Sequence, residues 1–151
     1  LGRVIDFGET DTNNMGAAMA PAVADTIINH FQDLNRQPDY YDLIVTGDLG
    51  KIGLELILEI LKKSNLNMGI NFSDCGVMIY NSNQDTHAGG SGCGCSAGVL
   101  NGYILKKLAS GEMNKVLLIG SGSLHSPTTA LQGETIPAIG HAVSIENMQA
   151  N

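Results

Sequence analysis

The densest chemistry in the chain lies at residues 87–97, "HAGGSGCGCSA", where one imidazole and two thiols sit among glycines just ahead of a helical segment. The first N–H groups of a helix have no partner within it and carry the positive end of its dipole, so such a loop can receive a carboxylate or a phosphate. Gly89 and Gly90 let a ligand approach the main chain, and His87 can act as acid, base or hydrogen-bond donor. The competing reading is close packing of small residues between helices. Spacing alone favours packing, because the string is neither a Walker loop nor a dinucleotide fingerprint. Cys93 and Cys95 are separated by one residue, and His87 does not complete a tetrahedral set. No metal and no cofactor are therefore expected, and the thiols are expected to be buried small side chains.

A second string, "GSGSLHS" at 120–126, leaves the end of an apolar run. Open α/β sheets bind ligands outside the carboxyl ends of their strands, which makes Ser121, Ser123, His125 and Ser126 candidate donors. By composition a solvated surface turn fits equally well. Glu134 is expected to be an exposed carboxylate and His141 to be structural, while His30 is given no role.

The elements that must position these residues alternate. Strands are expected at 4–7, 43–46, 75–80, 115–123 and 141–146. The first helix carries Val23, Ile27, Ile28, Phe31 and Leu34 at helical spacing, with Pro21 opening or kinking it. The second, 53–65, places Leu54, Ile57, Leu58 and Leu61 on one stripe, and the third covers 97–108. The order βαβαβαββ predicts one α/β domain over 1–151, with a mostly parallel five-stranded sheet and helices on both faces. The connection 124–139 is long enough to carry function.

With 15 acidic against 8 basic residues the chain has a formal charge of −7, which leaves no electrostatic footprint for nucleic acid. No apolar run reaches the roughly 20 residues of a membrane helix. Three cysteines make no disulfide framework, so a reducing compartment is expected. The chain enters a strand directly after Leu1, so a fragment whose site is completed elsewhere is expected.

The element order, the opening "DTNNMGAAMAPAVADTI", the histidine-glycine loop and the "LIGSG" turn resemble the C-terminal half of the thiolase superfamily over nearly the whole chain. That resemblance implies a thiolase-like half-domain, an earlier half of the same topology that supplies the nucleophilic cysteine, and a homodimer built through those earlier halves. His87 falls at the thiolase histidine, with Ala88 where the enzymes usually carry proline. Leu118 stands where the acid/base cysteine would lie, and leucine cannot shuttle a proton.

The strings "YDLIVTGDLGKIG", "DTHAGGSGCGCSA" and "SGSLHSPTTALQGETIPAIGHAVSIE" are similar, more closely, to a sporulation branch of that superfamily. The branch implies a non-catalytic protein that binds pyridine-2,6-dicarboxylic acid (dipicolinic acid) during its uptake into the forespore. It also implies a peripheral place at the spore inner membrane, beside other proteins of the same operon. Under this resemblance the ligand groups would be Gly89, Gly90, Ser121, Ser123 and Ser126, with His87 or His125 as a positive donor. The ligand enters as the free acid or as its calcium chelate, which asks for oxygen donors. The alternative is a thiolase or ketoacyl-synthase-type acyltransferase whose cysteine lies in the earlier half. A third reading is a scaffold with a vestigial pocket.

Overall fold

Three apolar residues and a threonine, Leu43–Thr46, all buried, form β1 at the centre of the molecule. A strand without a polar face must be covered on both sides. In the computed structural model, which describes residues 1–90 and 92–147, that covering is complete. Parallel to β1 run β2 (Phe72–Asp74) on one side and β3 (Lys115–Ser123) on the other, and β4 (Ala138–Glu146) pairs antiparallel with β3. The open sheet has the order β2-β1-β3-β4.

The two-residue period of a strand separates the faces. Ile44, Leu117 and Ile119 pack with α1 (Met15–Leu34) and α2 (Gly50–Lys63), where Ile27, Ile57 and Leu61 are fully buried. Leu43, Val45, Val116 and Leu118 face the opposite way. There they meet Cys75 of α3 (Cys75–Met78), Cys95 and Val99 of α4 (Cys95–Val99), and Leu108 of α5 (Leu105–Ala109). A π-turn, Leu100–Ile104, joins α4 to α5, and α6 (Pro127–Leu131) lies in the connection between β3 and β4.

Four expectations are corrected. Residues 4–7 form no strand: they supply a single antiparallel bridge, Ile5 to Ala138, on the outer side of β4, with Val4 and Phe7 exposed. Among the described residues the sheet accordingly has four strands rather than five. The strand expected at 75–80 ends at Asp74, and Cys75–Met78 is helical. A short apolar run reads alike for strand and helix; here Cys75 and Met78, three apart, both reach the second cluster, as one helix turn allows. α1 does not open at Pro21 but runs 20 residues with the proline inside it, because the buried stripe Val23, Ile27 and Phe31 outweighs the lost hydrogen bond. Leu58 lies on the exposed side of α2.

α1 and α2 approach at glycines. A Cβ on Gly16 would sit 2.6 Å from the Leu49 carbonyl oxygen and 3.1 Å from the Gly53 backbone. In an open helix Gly→Ala gains up to about 1 kcal/mol. Here overpacking of about 1–3 kcal/mol reverses the sign. Gly16→Ala is expected to lower the midpoint of chemical unfolding.

Candidate ligand-binding cleft

The chain leaves β1 towards β2 through α2, whereas β3 lies on the other side of β1. The crevice outside the carboxyl ends of β1 and β3 is thus a topological switch point, where this class of sheet binds ligands. A cleft of about 450 Å³ opens there. The β1–α2 turn, the glycine loop, the end of β3 and the start of α1 wall it, and Met15, Met19 and Ile52 supply apolar surface.

Strand period places Ser121 and Ser123 on the same face as Leu117 and Ile119, towards α1. Both line the cleft, and both hydroxyl oxygens are buried without a hydrogen-bond partner among the described residues. Such a group costs about 1–3 kcal/mol when left unsatisfied, and native structures hold few of them.

Gly89 and Gly90 also line the cleft, but their amides are engaged. Gly89 donates to the Thr86 carbonyl at 2.8 Å and Gly90 to the Gly76 carbonyl at 3.3 Å. Gly92 donates to Asp48 Oδ2 at 2.8 Å. The loop thus spends these three amides within the protein. It is tied to the β1–α2 turn by the Lys51 amide, which donates to the Ala88 carbonyl at 2.6 Å, and Tyr80 holds it from behind through the Gly90 carbonyl at 3.0 Å.

Asp74, at the end of β2, is fully buried. Its Oδ2 accepts from Thr46 Oγ1 at 2.6 Å and from the Leu49 amide at 2.8 Å, and its Oδ1 accepts from the Gly50 amide at 3.0 Å. Burial pushes this carboxyl above the ordinary range, the nearby Asp48 charge acts in the same direction, and the three donors oppose both.

His87 stands outside the cleft. Its backbone is left-handed at φ 50, its side chain is 90% exposed, and Nδ1 lies 3.6 Å from the carboxylate of the equally exposed Asp85. His125 and Ser126 border a separate hollow of about 10 Å³ beside Thr129 and Glu134. The structure therefore brings together Gly89, Gly90, Ser121 and Ser123, and leaves His87, His125 and Ser126 apart from them. His141 Nδ1 accepts from the Gly2 amide at 3.1 Å, and His30 Nε2 is paired with the Tyr41 hydroxyl at 2.7 Å.

Cys75 and Cys95 are buried, as expected, and burial together with the neighbouring Asp74 charge pushes the Cys75 thiol up to about 12. Cys93 differs from expectation: it is exposed and lines the cleft. Among the described residues no group of three His, Cys, Asp or Glu is arranged to hold a metal ion. Asp48 and Asp74 escaped the sequence analysis. The one signal available was a polar residue placed directly at the end of an apolar segment, in "TGD" and in "FSD".

The sequence model of the stage V sporulation protein AD family matches residues 1–146. The chain belongs to that family. It is 50% identical over 146 residues to stage V sporulation protein AD of Bacillus subtilis (strain 168), an alignment covering 97% of this chain and 43% of that relative. This member of the stage V sporulation protein AD family thus spans less than half the length of the curated relative it matches. Among its described residues no helix is long and apolar enough to cross a membrane.

Proposed function

We propose that this chain forms the C-terminal, thiolase-like part of a non-catalytic protein that binds dipicolinic acid during its uptake into the forespore. The observation that carries the ligand reading is the pair of buried serine hydroxyls, Ser121 and Ser123, without partners at the wall of the cleft. A hydroxyl can donate to each carboxylate of a flat diacid, and hydrogen bonds to charged groups are the stronger kind. The cleft volume falls within the range of about 300–1,000 Å³ usual for small-molecule sites. Met15 and Met19 offer polarizable thioether surface to an aromatic ring.

Two further features support a binding role over acyl transfer. His87 is exposed and does not line the cleft, and Leu118 packs in the cluster with Cys75 and Cys95 on the opposite face of the sheet. The resemblance to thiolases carries the remaining parts of this reading: a second half-domain, a homodimer, and a peripheral position at the spore inner membrane beside proteins of the same operon.

Calorimetric titration of the protein in its full length with dipicolinate, with and without calcium, tests the proposal. Saturable binding is expected, and Ser121→Ala or Ser123→Ala alone should weaken it by roughly tenfold. Turnover of an acyl thioester by the full-length protein would establish the alternative instead. Unchanged affinity in both serine variants would remove the site.

A further inference from the structure

α2 begins without a cap of its own. Leu49 occupies the N-cap position and offers no side-chain acceptor, and Gly50 follows with a left-handed backbone at φ 67. A helix start left in that state is an anion site. Here the protein supplies the anion itself, from another strand: Asp74 of β2 takes the amides of Leu49 and Gly50 and the hydroxyl of Thr46. Asp74 is not among the residues that line the cleft. The turn it holds is one wall, and the next amide along, Lys51, is bonded to Ala88 of the glycine loop, which is another.

We infer that Asp74 is the positioning residue of the cleft, capping α2 across the sheet so that the β1–α2 turn and the glycine loop are set before any ligand arrives. The inference rests on the cleft being the ligand site and adds how that site is shaped and what it excludes. With the Leu49 and Gly50 amides taken by Asp74 and the Lys51 amide by Ala88, these donors are closed to a ligand, and its carboxylates are directed to Ser121 and Ser123 at the other wall. Preorganised walls also lower the ordering cost of binding.

Two features make the clamp hard to replace. A Cβ on Gly76, the residue after Cys75, would stand 2.9 Å from Asp74 Oδ1 and 2.1 Å from Asp48 Oδ1, so the backbone is closely fitted around both carboxylates. Asparagine at position 74 retains one carbonyl oxygen, but turns an N–H₂ group towards donors where the carboxylate presents an acceptor.

The test compares wild type, Asp74→Asn and Asp74→Ala in the full-length protein by amide hydrogen exchange resolved by segment and by dipicolinate titration. Faster exchange confined to residues 47–51 and 88–92 is expected, with α1 and β3 unchanged. Affinity should fall by roughly tenfold in Asp74→Asn and further in Asp74→Ala, the asparagine giving partial rescue. Thr46→Val, which removes one donor and keeps the shape, should show the same local effect in milder form and replaces Asp74→Ala if that variant does not fold. Wild-type exchange at 47–51 in Asp74→Asn would overturn the inference. So would equal acceleration throughout the chain, which marks a general stabilising role. If wild type binds no dipicolinate, the ligand reading falls, and the exchange pattern alone still decides the role of Asp74.

Discussion

Replacing Ser121 and Ser123 together by alanine is expected to weaken dipicolinate binding by about 100-fold or more, and to leave the stability of the unliganded protein unchanged or raise it by about 1 kcal/mol. Both signs have one origin. Each hydroxyl oxygen is buried without a partner in the unliganded cleft, so its removal relieves a desolvation penalty. Under the proposed function each would also supply a hydrogen bond to a ligand carboxylate, worth about 1.5–3 kcal/mol when the acceptor is charged. Ser121 fits closely, since a Cβ on Gly47 would come 3.2 Å from its Oγ, and alanine lightens that contact without adding volume. Thermal unfolding and titration on one preparation check the pair of outcomes. A double variant that loses stability and keeps its affinity would show that the serines are structural.

That combination would distinguish a ligand site from a solvated surface turn, the two readings composition left balanced for "GSGSLHS". In structure β3 continues through Ser123, and its alternation carries the hydroxyls to the α1 side, at the wall of the cleft. The carboxyl-end rule was therefore legible in the sequence, and so were β1, α1 and α2, whose apolar runs and stripes are long and regular. His125 and Ser126 lie beyond the strand end, where no period applies, and they fall into a different hollow. His87 illustrates a second limit. Residue type identified a group able to transfer protons, but the direction of its side chain follows from a left-handed backbone that composition does not encode.

The glycine loop shows a third limit. Its amides looked like free donors from the sequence, and each of those at Gly89, Gly90 and Gly92 proves to be spent on a contact remote from it in sequence or on its own turn. Asp74 was invisible for the same reason. A buried carboxylate is recognisable only by its donors, and these come from Thr46, Leu49 and Gly50, more than 20 residues away. Residues 75–80 failed differently: six apolar or small residues satisfy either period, and Asp74 ends the strand where the hydropathy pattern begins it.

The largest effect on folding and binding together is expected at Gly50. Its backbone is left-handed at φ 67, and an added Cβ would lie 2.7 Å from the Ala88 carbonyl oxygen. That oxygen cannot retreat easily, because it accepts the 2.6 Å hydrogen bond from Lys51 that joins the two walls. Gly50→Val combines a strained backbone, about 1–3 kcal/mol, with overpacking of about 1–3 kcal/mol, so a loss of about 3–5 kcal/mol is expected. Because the displaced groups are the walls themselves, dipicolinate binding should be lost in whatever fraction remains folded. Gly92 is the control: its φ is also left-handed, at 83, but among the described residues nothing lies within 4 Å of a Cβ there. Gly92→Ala should therefore show backbone strain alone, about 1 kcal/mol. Chemical unfolding of the two variants beside wild type separates strain from contact. Equal losses at Gly50 and Gly92 would show that the approach of the turn to Ala88 does not hold the cleft together.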